Sequence, residues 1–497
     1  DPEVKKRFAL CQTPDFIRRF ILGETLEPAL AEWPADQVRV LDPACGSGHF
    51  LLDAFRRLVE ATSLQHPDWL RLQMVEHALD RVVGLDLNDY ACGLARARLV
   101  MTAAELAGLS SLAAAARFHP HVYWTDSLEQ VEREDRQEIK QYQLLEPPPT
   151  PSPTPFRALL TRPEVRSALK PILSPGFHVI VANPPYITEK DSSRKAYHRE
   201  KLRGGKEQRY ISAYREYSLA SPFTERCLQL ALPGGFIGLI TSNNFMKREF
   251  GKPLIEKVLP AVDLCLVVDT SQISIPFHGT STILLFARNR KPAGETVRAV
   301  LGRRGVMGED PATGRVWTSI VEGYKTPGFE NDFVSVTDVP RTTFSRHPWS
   351  MGGGGAAELR QRLESVAGKL IFCVKEIGFI CMTRADDIYF TPRRALMRAG
   401  IEPRFIADNI EGDRIRDWSI VEPNATLFPY DADLRPVEEA VAPTVHGFLW
   451  PFRTGLWLRK EPNGNHREIG LTWWEWSRFQ RERFRNPLSI AFAFVAT

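Results

Sequence analysis

The sequence predicts an α/β fold built on a mostly parallel sheet of seven strands, followed by a second, α+β domain. Short apolar runs alternate with longer helical patterns such as "FLLDAFRRLVEA" as far as about Arg288. This alternation is typical of a parallel sheet that helices cover on both faces. Beyond "MGGGG" at 351–355 the sequence becomes rich in Arg, Trp and Phe, which indicates a separate domain. The predicted strands are residues 38–42, 81–86, 121–126, 177–182, 236–242, 264–270 and 282–287.

The composition is that of a globular protein whose 497 residues are too many for one hydrophobic core. The net charge of +4 indicates a nucleic-acid partner only if basic residues are concentrated locally. Seven scattered cysteines without a CxxC pair, and histidines without an HExxH motif, indicate a reducing cytoplasm and no metal site. The sequence has neither an apolar run long enough for a membrane span nor a signal peptide. Since it starts at Asp1 and stops within "PLSIAFAFVAT", we expect a piece of a longer polypeptide.

Three segments interrupt the strand–helix pattern. Residues 129–175 carry charges followed by "EPPPTPSPTP", which predicts a stiff, proline-rich insertion. Residues 187–217 contain nine Lys or Arg with tyrosines between them, which predicts a basic loop. The third segment is the glycine run described above. The expected domains are residues 1–300, a linker at 301–355, and an incomplete domain at 356–497.

The stretch "VLDPACGSGHFLLDAF" at 40–55 predicts a strand, a turn of small residues and a helix. Gly46 and Gly48 allow the backbone to approach a ligand closely, and the amides of the following helix point towards it. The next two strands end in Asp86 and Asp126, at the sheet edge where ligands of open α/β proteins bind. A carboxylate there accepts hydrogen bonds from ribose hydroxyls. The alternative interpretations are a merely tight turn for the glycines and a helix N-cap for Asp86.

Neither of two common phosphate-binding patterns, GxGxxG and GxxxxGK[ST], occurs at this turn. The expected ligand therefore carries a ribose, a base and a cationic or amine-bearing group instead of a phosphate chain. S-adenosylmethionine fits this description.

The stretch "ANPPY" at 182–186 follows the apolar run "FHVIVA". Pro184 and Pro185 cannot donate backbone hydrogen bonds, and Pro184 restricts Asn183 to extended geometry. The strand therefore has a stiff exit that aims the amide of Asn183 and the ring of Tyr186 at a fixed place. A rigid strand-to-loop turn without chemistry is the alternative interpretation.

Together, "DPACGSGHF" and "ANPPY" resemble the motifs of the amino-methyltransferases of DNA, specifically the adenine-N6 class. The order of "QTPDFI", the glycine motif, NPPY and a downstream recognition domain is similar to the gamma arrangement of these enzymes. The stretch "VIVANPPYITEKDSSRKAYHREK" further resembles the large methyltransferases of BREX/Pgl phage-exclusion systems. The class-level resemblance covers residues 8–290 and implies a Rossmann-like class I methyltransferase fold with a C-terminal target-recognition domain.

The resemblance implies a catalytic role for each residue of NPPY. The side-chain oxygen of Asn183 and the backbone oxygen of Pro184 would accept the two protons of the amine of a flipped adenine, in a turn that Pro185 stiffens. Tyr186 would stack on the base, and Phe277 of "IPFHGTSTILLF" would face it from the other side. A position in the hydrophobic core is the alternative for Phe277.

The same resemblance implies which residues hold S-adenosylmethionine, and it implies no metal. Phe223 would line the adenine of the cofactor, and Thr13 with Pro14 would lie near its methionine end. Helix packing for Phe223 and an N-cap for Thr13 are the alternatives. The expected cofactor-binding residues are Thr13, Pro14, Asp42, Pro43, Ala44, Gly46, Gly48, Phe50, Asp86, Leu87, Asp126, Ser127, Asn183 and Phe223.

The expected partners are double-stranded DNA and other proteins of a phage-defence system, with no membrane. The basic segment 187–217 either contacts DNA phosphates or is a solvated loop, and we expect it to be mobile without DNA. The Arg- and Trp-rich stretches beyond 356 suit DNA contacts, but they equally suit a packed domain with cation–π pairs.

Several rival functions share part of these features. Glutamine-N5 methyltransferases of release factors also carry NPPY but typically lack a long Arg/Trp-rich domain after it. RNA adenine methylation is a further alternative, whereas cytosine-C5 methylation is disfavoured because the chain has no Pro-Cys pair. "DRQEIK" at 135–140 has the ExK spacing of a restriction nuclease, but no apolar strand surrounds it. A non-enzymatic alternative function is that of a DNA-binding component of a defence complex.

Overall fold

In the computed structural model, the described residues are 13–131, 163–201, 208–273, 281–303, 308–349, 362–363, 365–366, 372–416, 419–420, 424–461, 464–486 and 489–491. The chain divides into two units, Asp1–Ser365 and Val366–Thr497. Four sequence predictions lie outside the described residues: the proline run "EPPPTPSPTP", the ExK spacing of "DRQEIK", Phe277 and the "MGGGG" joint.

A nine-stranded sheet forms the centre of the first unit. Its strands are β1 (Val40–Asp42), β2 (Val82–Asp86), β3 (His121–Trp124), β4 (Phe177–Ala182), β5 (Ala231–Ser242), β6 (Asp263–Asp269), β7 (Thr282–Arg288), β8 (Thr296–Gly302) and β9 (Val334–Pro340). Their order is β3-β2-β1-β4-β5-β7-β6-β8-β9. β7 runs antiparallel to both of its neighbours and β9 runs antiparallel to β8, whereas the other neighbouring pairs are parallel. The α/β fold with a mostly parallel sheet is thus confirmed.

The seven strands predicted from the sequence are all present, but the sheet continues beyond them. The predictions of a sheet limited to seven strands and of a linker at 301–355 were wrong. β8 pairs with β6, and β9 pairs with β8 over its whole length. The sequence pattern of β9, "VSVTDVP", is mixed because only part of the strand is buried. The pairing that makes it a strand is long-range, which a local pattern does not indicate.

Helices lie on both faces of the sheet. Those of the first unit are α1 (Asp15–Gly23), α2 (Leu26–Glu32), α3 (His49–Gln65), α4 (Arg71–Leu79), α5 (Asp89–Ala107), α6 (Leu112–Ala115), α7 (Pro163–Leu173), α8 (Ser192–His198), α9 (Ala220–Leu230), α10 (Asn244–Lys247), α11 (Arg315–Gly323) and α12 (Arg341–Phe344). Two 3₁₀ turns (Glu249–Gly251 and Leu259–Ala261) and one π-helical turn (Leu254–Val258) lead into β6.

The central strands bury side chains on both faces of the sheet, and successive residues serve different cores. Val40 and Val179 belong to a core that includes residues of α1, α3 and α5. Leu41 and Ile180, each one residue further on, belong to a second core that includes residues of α9. Burial on both faces explains why these strands are continuous apolar runs.

Helix α3 and helix α5 approach each other closely at Gly48. This residue is the N-cap of α3 and has a φ of 82°, in the left-handed region that favours glycine. A Cβ atom at this position would lie 3.0 Å from the Cβ atom of Ala95 on α5. Both the backbone conformation and the packing of α3 against α5 therefore require glycine.

The second unit combines short helices with antiparallel strand pairs, in agreement with the predicted α+β class. Its helices are α13 (Asp386–Tyr389), α14 (Arg393–Arg398), α15 (Pro443–Leu449), α16 (Arg453–Trp457) and α17 (Arg481–Phe484), with 3₁₀ turns at Pro403–Phe405, Gly412–Arg414 and Trp450–Phe452. Its strands are β10 (Cys381–Met382), β11 (Ile406–Asn409), β12 (Ile415–Arg416), β13 (Ser419–Ile420), β14 (Asn424–Leu427), β15 (Lys460–Glu461), β16 (Gly464–Asn465) and β17 (Arg478–Phe479). The pairs are β10–β17, β11–β14, β12–β13 and β15–β16.

A buried arginine, Arg459, stabilises the core of the second unit. Its guanidinium donates hydrogen bonds to the carbonyl oxygens of Thr383, Trp473 and Glu475 at 2.7–2.9 Å. The same group lies over the ring of Tyr389, 5.6 Å from its centroid. Residues of the predicted Arg/Trp-rich stretches are therefore part of the packed interior, which is the second of the two interpretations of that composition.

Among the described residues, no helix is long and apolar enough to cross a membrane.

We expect Gly48→Ala to lower the free energy of unfolding by about 1–3 kcal/mol, because alanine disfavours left-handed backbone and crowds Ala95. Urea denaturation of the full chain measures this change. The matched control is Gly93→Ala on α5, where an added Cβ meets nothing within 4 Å. Alanine in a helix is about 1 kcal/mol better than glycine, so the control should be at least as stable as the wild type. Equal stability of Gly48→Ala and the wild type would contradict this account.

Candidate active site

The strand order reverses at β1, whose neighbours β2 and β4 lead towards opposite edges of the sheet. β1 ends at Asp42, β2 ends at Asp86, and β4 ends immediately before Asn183. In open α/β sheets, ligands bind in the crevice outside the carboxyl ends of the strands at such a reversal. The glycine turn and the NPPY motif therefore begin at neighbouring strand ends.

Asp86 binds the glycine turn. The backbone N–H groups of Gly46 and Asn88 donate hydrogen bonds to its two carboxylate oxygens, each at 2.8 Å. Burial raises the pKa of Asp86, while these backbone donors act in the opposite direction. The N-cap of α5 is Asn88, whose side chain accepts a hydrogen bond from the N–H of Ala91. The alternative interpretation of Asp86 as an N-cap was therefore wrong.

Asp42 lies beneath the turn. It is buried, and its Oδ1 atom accepts a hydrogen bond from the N–H of Ala44 at 3.0 Å. Burial raises the pKa of this carboxyl well above its usual range, and the charge of Asp86 acts in the same direction, against the Ala44 N–H. The hydroxyl of Ser127 donates to the carbonyl oxygen of Pro43 at 2.5 Å. Asp42, Pro43, Ala44 and Ser127 thus hold the shape of the turn.

Asn183 forms hydrogen bonds through both ends of its amide. Its Nδ2 group donates to the hydroxyl of Thr13 at 3.1 Å, and its Oδ1 atom accepts from the hydroxyl of Tyr186 at 2.6 Å. The Tyr186 hydroxyl also lies 3.1 Å from the carbonyl oxygen of Ile240 on β5. Since both ends of the amide have partners, the side chain of Asn183 is held in place. Thr13, just before α1, thus belongs to the same cluster as the NPPY motif.

The carboxylate of Asp86 fits S-adenosylmethionine. Asp42, Asp86 and Asp126 lie at the ends of three neighbouring strands, but Asp42 and Asp126 are buried. Asp86 is therefore the carboxylate of the three that suits ribose hydroxyls and a cationic sulfonium and opposes a phosphate chain. Gly46 leaves open space beside the turn, because a Cβ atom added there would meet nothing within 4 Å. Among the described residues, no group of three or more His, Cys, Asp and Glu side chains could hold a metal ion.

Other residues predicted for the site lie in different surroundings. Phe50 and Phe223 are buried, each in one of the two hydrophobic cores. Leu87 accepts a hydrogen bond through its carbonyl oxygen from the indole of Trp124 at 2.9 Å. Pro14 is the N-cap residue of α1, Pro184 is buried and Pro185 is half-buried. Phe277 lies outside the described residues.

The basic segment 187–217 is more structured than a solvated loop. It contains α8, and four of its aromatic side chains are buried: Tyr197, His198, Tyr210 and Tyr217. Four of its described basic residues have carboxylate or carbonyl partners within the protein: Arg194 with Asp126 and Glu189, Lys195 with Glu216, Arg209 with Glu200, and Arg199 with the carbonyl oxygens of Ala213 and Arg215. For these four residues the alternative interpretation as a solvated loop does not hold, because their charged groups have partners within the protein.

Two residues on α9 were not predicted from the sequence. Arg226 is fully buried and donates to the carbonyl oxygens of Ser127 and Glu129 at 2.9 and 3.1 Å. Glu225 accepts hydrogen bonds from the N–H and the hydroxyl of Ser212. The signal in the sequence is the adjacent pair of charges in "PFTERCLQL", an otherwise largely apolar helix. Buried charges require such partners, so the pair indicates internal contacts that position the loop after β3.

The chain is similar in sequence to known methyltransferases. Residues 80–273 match the family of Eco57I restriction-modification methylases. The chain is 35% identical, over 99% of its length, to the adenine-specific methyltransferase PglX of Streptomyces coelicolor. It is 24% identical, over 72% of its length, to the type II methyltransferase M.PaeR7I of Pseudomonas aeruginosa. The chain spans 41% of PglX and 52% of M.PaeR7I.

One solved structure also resembles the chain over most of its length. The type IIL restriction-modification enzyme MmeI in complex with DNA aligns with 97% of this chain and 59% of its own, at a TM-score of 0.57 and 11% identity. At this identity the likeness shows a shared fold alone.

The fold and the strand-end motifs define the first unit as a class I S-adenosylmethionine-dependent methyltransferase fold. The resemblance to adenine-specific DNA methyltransferases is confirmed by the matches above. The particular protein that the chain resembles among these is PglX. The similarity covers 99% of this chain and 41% of PglX.

His198 on α8 gives the first unit a predictable dependence on pH. The side chain is fully buried, and its Nδ1 atom lies 2.8 Å from the hydroxyl of Tyr217. Burial lowers its pKa from 6.5 to about 4. The unfolded chain therefore binds a proton between these two pH values that the folded chain does not bind, and stability decreases as the pH falls through this window.

We expect this histidine to cost up to about 3 kcal/mol of folding stability between pH 7 and pH 4. The measurement is the free energy of unfolding of wild type and His198→Asn at several pH values. Asparagine does not titrate. The wild type should therefore lose free energy of unfolding relative to His198→Asn as the pH falls from 7 to 4. The contributions of all other titrating groups are the same in both proteins and cancel in this difference. If the difference in free energy of unfolding between the two proteins stays constant from pH 7 to pH 4, His198 does not have the lowered pKa.

Proposed function

We propose that this chain is the methyl-transferring part of a site-specific DNA methyltransferase that acts on the N6 amine of adenine in a phage-defence system. The observation that carries the proposal is the adjacency of the glycine turn after β1 and the oriented Asn183 amide after β4. The similarity to PglX supports the phage-defence context. A location in the cytoplasm, and other proteins of the same defence system as partners, belong to this proposal.

The proposed cofactor is S-adenosylmethionine, which supplies an electrophilic methyl group when it is bound. Gly46 offers a surface without a side chain, and Asp86 offers a carboxylate to ribose hydroxyls. In the described structure one oxygen of Asp86 accepts from Gly46, and a carboxylate oxygen has capacity for a further hydrogen bond. The hydroxyl of Thr13 accepts a hydrogen bond from the amide of Asn183, so Thr13 lies beside the NPPY motif.

The amine of adenine is a poor nucleophile because its lone pair is delocalised into the ring. Acceptors for its two protons return electron density to the nitrogen. The Oδ1 atom of Asn183 already accepts one hydrogen bond from Tyr186 and has a second lone pair for the amine. The carbonyl oxygen of Pro184 is the second proposed acceptor. Both acceptors belong to a stiff turn, so they need little reorganisation when the amine binds. The turn therefore favours catalysis through positioning of the amine.

A duplex hides the amine, so the adenine must be flipped out of the stack. Tyr186 is the described aromatic residue that we propose to stack on the flipped base. Its hydroxyl lies within hydrogen-bonding distance of Asn183 and Ile240, which limits the freedom of the ring. The base would therefore meet a ring and an amide that hold each other in place.

The second unit is the proposed target-recognition domain. Arg459, Trp473 and Trp476 are buried there, so they support the domain and do not contact DNA. Trp450 is 56% exposed, and the guanidinium of Arg453 lies 4.8 Å from its ring centroid. This exposed pair offers both a positive charge for phosphate and an aromatic surface.

We expect Asn183→Ala to reduce methyl transfer to DNA by about 10²-fold or more, because an acceptor aimed at the reacting amine is lost. Tritium transfer from S-adenosylmethionine to host DNA measures the activity. DNA binding should remain, since the substitution removes no charge. A variant that methylates DNA as well as the wild type would show that the catalytic assignment is wrong.

A second variant separates the hydroxyl of Tyr186 from its ring. Tyr186→Phe removes one hydrogen bond of about 1 kcal/mol, which predicts a loss of roughly fivefold in kcat and retention of activity. The matched control is Tyr90→Phe, at an exposed tyrosine on α5, which should leave kcat unchanged. If Tyr186→Phe is as inactive as Asn183→Ala, stacking is not the main role of the ring.

A further inference from the structure

A buried ion pair connects α8 to the loop that follows β3. The Nη2 group of Arg194 donates to Oδ2 of Asp126 at 2.8 Å, and the N–H of Leu128 donates to Oδ1 at 3.0 Å. The side chain of Arg194 is 13% exposed and that of Asp126 is 3% exposed. Both oxygens of Asp126 thus have partners in the protein, and almost none of the carboxylate surface is left for a ligand.

Arg194 is fixed by further contacts on its own segment. Its Nε group lies 3.2 Å from the buried carboxylate of Glu189, which stands three residues after Tyr186. Glu189 in turn accepts from the backbone N–H groups of Lys190 and Asp191, each at 2.9 Å. The side chain of Asp191 accepts from the N–H of Arg194 at 3.0 Å. The guanidinium therefore connects the chain just after the NPPY motif to the end of β3.

We propose that Arg194 is a positioning residue for methyl transfer and that Asp126 is its anchor, instead of a ligand of the cofactor. The inference rests on the proposed function. It assigns Asp126 to the cofactor side of the crevice, and it assigns the segment that carries Arg194 to the side of the target base. Without the pair, the segment after Tyr186 loses its attachment to β3, and the ring and amide of the motif lose their alignment.

The burial of the pair predicts how substitutions combine. Removal of Arg194 alone leaves the buried carboxylates of Asp126 and Glu189 without their guanidinium, whereas the double variant leaves only Glu189, which still accepts from two backbone N–H groups. Arg194→Gln should therefore be more harmful alone than together with Asp126→Asn, which leaves Arg194 paired with Glu189. A direct role of Asp126 in cofactor binding predicts the opposite, since the double variant would keep the loss of affinity.

The test compares Arg194→Gln, Asp126→Asn and the double variant in the full chain. Each single variant should lower kcat for DNA methylation about 10- to 100-fold, as a misplaced reacting group does, with KM for S-adenosylmethionine unchanged within about threefold. Amide hydrogen exchange at residues 187–201, measured without DNA or cofactor, should become faster in each. The double variant should recover part of both properties, so that the two changes are not additive.

The matched control is Arg298→Gln, which breaks the ion pair of Arg298 with Asp338 between β8 and β9, at the opposite part of the sheet. It should change neither kcat nor the exchange of residues 187–201. Equal effects of Arg298→Gln and Arg194→Gln would mean general destabilisation and would overturn the inference.

Two further outcomes would also overturn it. The first is an Asp126→Asn variant that binds S-adenosylmethionine about tenfold or more weakly while Arg194→Gln methylates normally, which would make Asp126 a cofactor ligand. The second is unchanged hydrogen exchange in Arg194→Gln. If the wild type transfers no methyl group to DNA, the proposed function fails, while the exchange measurement still decides whether the pair holds the segment.

Discussion

The reversal of strand order at β1 determines where chemistry can occur in the first unit. Parallel strands end at one edge of the sheet, but only at a reversal do the connecting segments diverge and leave a crevice. Asp42 and the glycine turn leave β1 on one side of it, and Asn183 leaves β4 on the other. The packing of Gly48 against Ala95 brings α3 close to α5 and keeps the turn at the sheet edge.

Charged groups near the crevice mostly serve the protein itself. The pairing of Arg194 with Asp126, and the burial of Arg226 beneath Ser127, hold loops that connect distant strand ends. Such charges are costly to bury alone and become favourable only when their partners are in place. For Arg194, Lys195 and Arg209, the basic composition of the segment is therefore a poor guide to the charge that the surface presents.

The sequence predicted the groups whose environment is local. The glycine turn, Asp86 and the NPPY motif are contiguous with apolar strands, so their positions follow from the strands themselves. Helical spacing and apolar runs likewise predicted the seven strands β1 to β7. Arg194 could not be assigned, because its partner lies 68 positions earlier in the chain and nothing local indicates the pairing. β8 and β9 were missed for the same reason, since pairing at the edge of the sheet gives a mixed pattern.

Arg459 has a consequence for how the second unit can change over evolutionary time. A single interior guanidinium joins the carbonyl oxygens of Thr383, Trp473 and Glu475, so segments far apart in the chain are held from the inside. The exposed residues, Trp450 and Arg453 among them, contribute little to this framework. Surface substitutions can therefore accumulate at small cost in stability, and new recognition preferences can arise while the fold is retained.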